Sequence, residues 1–243
     1  MQRNLTGTAC IALAVGFNLP FALLAAQFDY PDVLRHPAGD VLTAFAAGGA
    51  ALVWTWYAFA LTALAMIPMA VAVAFGRADW QRRPVVAVGG ALFGALAGLA
   101  QAIGLFRWVF AVPPMAMAYV DPATTDVQKQ ALEVGFALMN NWGGVAIGEH
   151  MGQILTCLWI GVVAFGQWQG ARMIDRIGAA IAVLAVAGIV IGLGDGLSLA
   201  MAAPIAAFSM FTVAGYLAFS VWLIVLGIGF MAQPLATAAQ RAV

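Results

Sequence analysis

The chain has 243 residues, of which 64% are hydrophobic and 8% charged, and its formal charges cancel. Soluble chains run near 45–50% apolar and about 25% charged, so this composition excludes a water-soluble domain and describes a membrane protein. The zero balance offers no basic surface for nucleic acid. Cys10 and Cys157 both lie inside apolar runs and support neither a disulfide framework nor a thiolate metal site.

A membrane-crossing helix needs about 20 apolar residues. Charge-free stretches cover 4–28, 41–76, 84–106, 151–171, 177–194 and 196–240. They predict helices near 5–27, 50–75, 84–106, 144–166, 177–194 and 208–231. The expectation is an all-α, polytopic helical membrane bundle of six transmembrane helices in one domain over 1–243, with seven spans as the alternative. Arg3 before the first run resembles the start of a signal peptide, but the run exceeds the roughly 7–15 residues of such a segment and reads as a retained anchor.

Gly48-Gly49 is expected to divide an interfacial lead-in from the second span. Beyond the third span, Arg107-Trp108 through Pro113-Pro114 reads as an interfacial piece stopped by its prolines. A short amphipathic helix over 121–139 then starts at Asp121-Pro122, with Val127, Ala131, Val134 and Leu138 as its apolar stripe. Leu132 and Phe136 fall on its far side. In the long last run, Pro204 favours one helix after an interfacial lead-in.

Arginine placement sets the orientation. Arg3, Arg77, Arg82, Arg83, Arg172, Arg176 and Arg241 share one side, against Arg35, Arg107 and Lys129 on the other. Both termini are therefore expected in the cytoplasm. Glycines spaced by four mark faces for close packing: Gly90, Gly94 and Gly98, then Gly144, Gly148 and Gly152, then Gly188, Gly192 and Gly196. Ala100 is expected to point away from the first of these faces.

The outward side carries the unusual chemistry. Its first loop holds Asp29, Tyr30, Asp32, Arg35 and His36. In the fourth span, at about 100° per residue, Glu149, Gln153 and Thr156 form a stripe beside the glycines, with His150 on its flank. Ile147, Met151, Ile154 and Leu158 take the lipid-facing arc. Gln101 and Arg107 come from the third span, and Ser209, Thr212, Tyr216 and Ser220 from the sixth. An ionisable group inside a span costs free energy and usually faces a cavity or a partner, so Glu149 and His150 are the leading site candidates. Glu149 is expected to be partnered by His150 or by Arg107.

The bland alternative is a satisfied polar cluster that pins helices together. No zinc-type histidine spacing and no nucleophile elbow occurs. A metal or haem would need His36 and His150 to converge, so no metal is assigned and cofactors stay unknown. Trp54, Trp56, Trp108, Trp142 and Trp159 read as interface anchors or packing.

Three blocks stand together in order: Phe28-Asp29-Tyr30-Pro31-Asp32-Val33-Leu34-Arg35; Gly104-Leu105-Phe106-Arg107-Trp108 through Val112-Pro113; and Gly148-Glu149-His150-Met151-Gly152 with Thr156 and Trp159. The combination resembles the bacterial membrane proteins grouped as domain of unknown function 4386. That resemblance implies a multi-helix bacterial inner-membrane protein and no reaction. The leading expectation is an outward polar pocket for a small ligand or ion, in sensing or transport. Glu149, His150, Gln153 and Gln101 would line it, under Arg107, Trp108 and the loop from Asp29 to His36. The competing readings are an intramembrane enzyme with Glu149 and His150 as acid and base, and an accessory subunit whose loops grip a membrane-complex partner. Besides the lipid bilayer, a homo-oligomer is a further partner considered.

Overall fold

The computed structural model describes residues 2–76, 83–205 and 207–232, and among them it is helical with no strand. Six helical segments are long and apolar enough to cross a membrane. They are α1 (Gln2–Phe28), α2 (Ala38–Gly76), α3 (Pro84–Phe110), the column that ends in α6 (Gly152–Trp168), α7 (Met173–Gly192) and α9 (Ala207–Met231). The expected loop arginines Arg77 and Arg82, and Arg241, lie outside the described residues.

Each span packs on its neighbours in chain order, and α9 returns to α1. The six therefore close a ring. Large apolar side chains such as Val15, Leu92, Val183 and Leu217 stay more than half exposed around it. A membrane tolerates that surface, because lipid tails are as apolar as the side chains. We call the end carrying residues 29–37 the upper end. At the lower end Arg172 clamps Asp175 through two bonds of 2.8 Å and donates a third to the Gly229 carbonyl, tying α7 to α9.

Gly49 divides α2 as expected. Its φ of 58° lies in the left-handed region that only glycine enters freely, and the helix kinks there. Residues 38–48 thus lead into the span proper. The long last run likewise resolves into a short helix α8 (Gly194–Ala200), a turn containing Pro204, and α9.

The segment after the third span differs from expectation in three ways. Pro113 and Pro114 do not stop a piece; they open α4 (Val112–Val120), where a missing N–H is harmless in the first turn. α5 (Asp126–Met139) begins five residues later than Asp121, because Thr125 and Gln128 form a capping box. Asp121 instead closes the preceding turn, its Oδ1 accepting the Ala123 N–H at 2.8 Å. Nor is α5 a separate surface helix. Helical backbone continues through a π-helical segment, Asn140–Met151, into α6, so residues 126–168 form one column. On α5 the side chains that pack inward are Phe136 and Leu132, while Val127, Val134 and Leu138 are exposed. The apolar stripe read from the spacing is thus the outer face.

Glycines of the expected faces meet glycines of neighbouring helices at close range. A Cβ placed on Gly104 would sit 2.7 Å from the Gly148 Cα, and one on Gly148 would sit 2.8 Å from the Gly104 Cα. α3 and the π segment therefore meet backbone to backbone. On α7 and α9, a Cβ on Gly188 would sit 2.7 Å from the Gly215 Cα. Ala100, expected to point away, is buried. Helix α3 has neighbours on both sides of the ring, so leaving one face does not mean reaching lipid.

Two apolar clusters fill the ring. One, around Trp159, Phe219 and Trp222, occupies its body. The other, around Phe28, Phe45, Trp56, Trp108 and Phe136, sits under α4 and α5 at the upper end.

Candidate functional site

Construction of the site begins with the 29–37 loop. Asp29 takes φ 53°, which aspartate tolerates, and reverses the chain after α1. Phe28 then packs edge-on against Trp108 at 5.5 Å, and Tyr30 edge-on against Trp56 at 5.2 Å and Phe21 at 5.4 Å. Val33 is the buried residue of a single 3-10 turn, Asp32–Arg35, closed by the His36 N–H donating to the Val33 carbonyl at 3.2 Å. These apolar anchors draw the loop inward. The turn delivers Arg35 across the bundle.

There one guanidinium nitrogen, Nη2, lies 3.1 Å from Glu149 Oε2 and 2.5 Å from Asp195 Oδ2. The three side chains come from a loop, the π segment and α8. They are 15–27% exposed, so each pair alone is worth about 1 kcal/mol or less. Burial would lower the Arg35 guanidinium pKa, but attraction to Glu149 and Asp195 outweighs it and leaves the group raised. Arg35 is thus held charged. Burial also raises the Tyr30 phenol far above its ordinary value, with Glu149 adding to the effect, so Tyr30 stays neutral.

Glu149 is therefore partnered, but by neither residue expected. His150 makes no hydrogen bond to it among the described residues; its ring lies across from Gly196 of α8. Arg107 is buried and turns elsewhere, donating to the Gly104 carbonyl and, at 3.0 Å, to Asn140 Oδ1. Its guanidinium lies 5.1 Å from the Trp108 ring centroid and against Gly144, where a side chain would collide with it.

Beneath the triad is a cavity of about 630 Å³. Of the eleven site residues expected, all but Asp29 line it. Tyr30, Asp32, Arg35 and His36 come from the loop, Gln101, Arg107 and Trp108 from α3, Glu149, His150 and Gln153 from the fourth column. Asp29 points outward and is exposed, 3.8 Å from His36. Gln101 donates to Thr156 Oγ1 at 3.0 Å, and a Cβ on Gly152 would touch its side chain, so α3 and α6 meet at a polar joint. The sixth-span set Ser209, Thr212, Tyr216 and Ser220 lines the cavity too. Asn18 of α1 closes that wall by donating to Ser220 Oγ at 2.7 Å. Trp56 is fully buried on the wall, and its indole N–H finds no acceptor among the described residues. No three His, Cys, Asp or Glu side chains among the described residues group as metal ligands.

Sequence reasoning missed Asp195 and Asn18. Asp195 is a lone acid between two glycines and between two apolar runs, and it served only to divide those runs. Its position on the same end as Arg35 and Glu149 was the signal available.

A family model described as a domain of unknown function (DUF4386) matches residues 5–227. The chain belongs to that family. The match takes in four spans whole and most of the first and last, the loop of Arg35, and the residues Glu149 and Asp195, so the triad of this DUF4386 protein lies within the family region. No curated protein and no solved structure matches it.

Proposed function

We propose that this DUF4386 protein is a multi-pass protein of the bacterial inner membrane whose upper-end cavity takes a small ligand from the periplasmic side, for sensing or transport. The observation that carries the reading is the cavity itself. Its volume falls in the usual range of ligand pockets, about 300–1,000 Å³, and its wall is largely apolar with a few converging charged groups. The orientation rests on the arginine bias, which puts the lower end and both termini in the cytoplasm. Acid–base catalysis has less support. Glu149 is engaged by Arg35, and among the described residues no hydrogen bond joins it to His150.

Orientation is tested by thiol labelling in cells, with Cys10 and Cys157 replaced. Ala123→Cys should react with a membrane-impermeant reagent, and Ala171→Cys should react only after the cells are opened. Reversed labelling would place the cavity on the cytoplasmic side. For ligand binding, thermal melts of the detergent-solubilised protein are run against a panel of small amphiphiles of every charge type. At least one should raise the Tm of wild type and fail to do so for Val213→Trp, which fills the cavity, and for Glu149→Gln. Loss of stability in Glu149→Gln with no ligand effect in any protein would make Glu149 a structural residue.

A further inference from the structure

Resting on the pocket reading, we infer that the cavity takes a lipophilic organic cation, and that Arg35 is an internal competitor for its place. The lining holds three carboxylates, Asp32, Glu149 and Asp195, against two guanidiniums, Arg35 and Arg107. Arg107 is less available to a ligand than Arg35: it donates to a carbonyl and an amide oxygen and packs against Gly144, which leaves its buried Nε as the one donor atom without an acceptor among the described residues. What remains is a carboxylate pair on two different helices, both facing one organic cation that the chain itself supplies from a loop. Arg35 is joined to them at a single nitrogen, not through a two-pronged contact with either carboxylate. A two-pronged arrangement is the strong one, so the observed geometry is the more readily exchanged. All three groups are partly exposed, so a competitor can reach them.

The walls below suit a cation with an apolar body. Phe21, Tyr30, Trp56 and Phe59 line the cavity, with Tyr30 edge-on to each of the other three, and Phe17 and Phe219 line it as well. Aromatic faces attract cations that water hydrates weakly, and quaternary ammonium groups are recognised in this way. An anionic ligand would have to approach Glu149 and Asp195 against like charge.

The test uses two ions of nearly the same size and shape and opposite charge, tetraphenylphosphonium and tetraphenylborate. Equilibrium binding to the purified full-length protein in a non-ionic detergent should be saturable for the phosphonium and absent for the borate. Arg35→Ala removes the competing cation and should tighten phosphonium binding by about tenfold, the factor expected if the internal pair blocks the site about nine-tenths of the time. Glu149→Gln and Asp195→Asn should each weaken it by a similar factor. The comparison of the two ions on wild type needs no variant to fold. Preferential borate binding overturns the inference, and so does weaker or unchanged phosphonium binding in Arg35→Ala. If neither ion binds while another amphiphile stabilises wild type, the cation fails and the pocket stands. If nothing binds at all, both fail.

Discussion

Gly104→Leu and Gly148→Leu are each expected to lower stability by about 3 kcal/mol or more, while Gly89→Leu and Gly161→Leu leave it unchanged or raise it. Two effects oppose each other in these variants. Leucine is a better helix former than glycine by roughly 0.5–1 kcal/mol, which favours all four. At Gly104 and Gly148, however, the new Cβ falls inside 3 Å of the opposing Cα. Backbone cannot rotate away as a side chain can, so α3 and the π segment must separate along their length. Overpacking usually costs about 1–3 kcal/mol, and a backbone clash belongs at or beyond the top of that range. At Gly89 and Gly161 a Cβ meets nothing within 4 Å, so only the favourable effect remains. Thermal melts in detergent, followed by size-exclusion profile, measure all four. Equal melting temperatures across the set would show the Gly104–Gly148 approach to be incidental.

Trp108→Ala should be nearly as damaging, at about 3–5 kcal/mol and roughly 10 °C or more in Tm. Trp108 is fully buried and stacks on Trp56 at 4.8 Å and 10° between planes. Phe45 stacks on it at 5.7 Å, Phe136 meets it edge-on at 5.9 Å, and Arg107 lies over its ring. Truncation leaves a hole that the three surrounding rings and Arg107 cannot all move to fill. Because Phe28 also rests on Trp108, the loss should spread to the 29–37 loop and displace Arg35. Trp108→Phe keeps a ring in the stack and should recover most of the stability. If the alanine variant melts within a degree or two of wild type, the upper cluster is not what holds the loop.

Much of the fold was legible because charges are so few. Each charge-free run gave one span, and Gly48-Gly49 and Pro204 marked breaks that backbone geometry makes necessary. The inward residues of the fourth span were legible as well: Gln153 and Thr156 are buried, while Met151, Ile154 and Leu158 are exposed as expected. The partner of Glu149 was not. Arg35 lies 114 residues away and reaches it through a loop whose shape depends on Phe28, Tyr30 and Val33 finding aromatic neighbours. The π-helical turn of Asn140–Met151 was not legible either, although Gly144, Gly148 and Gly152 still face α3 as their spacing implied. The start of α5 is readable in Thr125-x-x-Gln128, but Asp121-Pro122 four residues earlier presents a competing start signal.

The closed ring has a consequence for biosynthesis. Five of its six interfaces join helices that follow one another in the chain, so each can form as soon as its second helix has entered the membrane. The sixth joins α1 to α9, where Gly7 meets Gly227 and Asn18 meets Ser220, 202 residues apart in sequence. That seam waits for the last helix. Until then the nascent bundle is an open crescent, with the polar edge of α1 turned toward lipid and one wall of the cavity missing. Contacts of such long range are slow to form, and the final insertion of α9 is the step at which a crescent becomes a vessel.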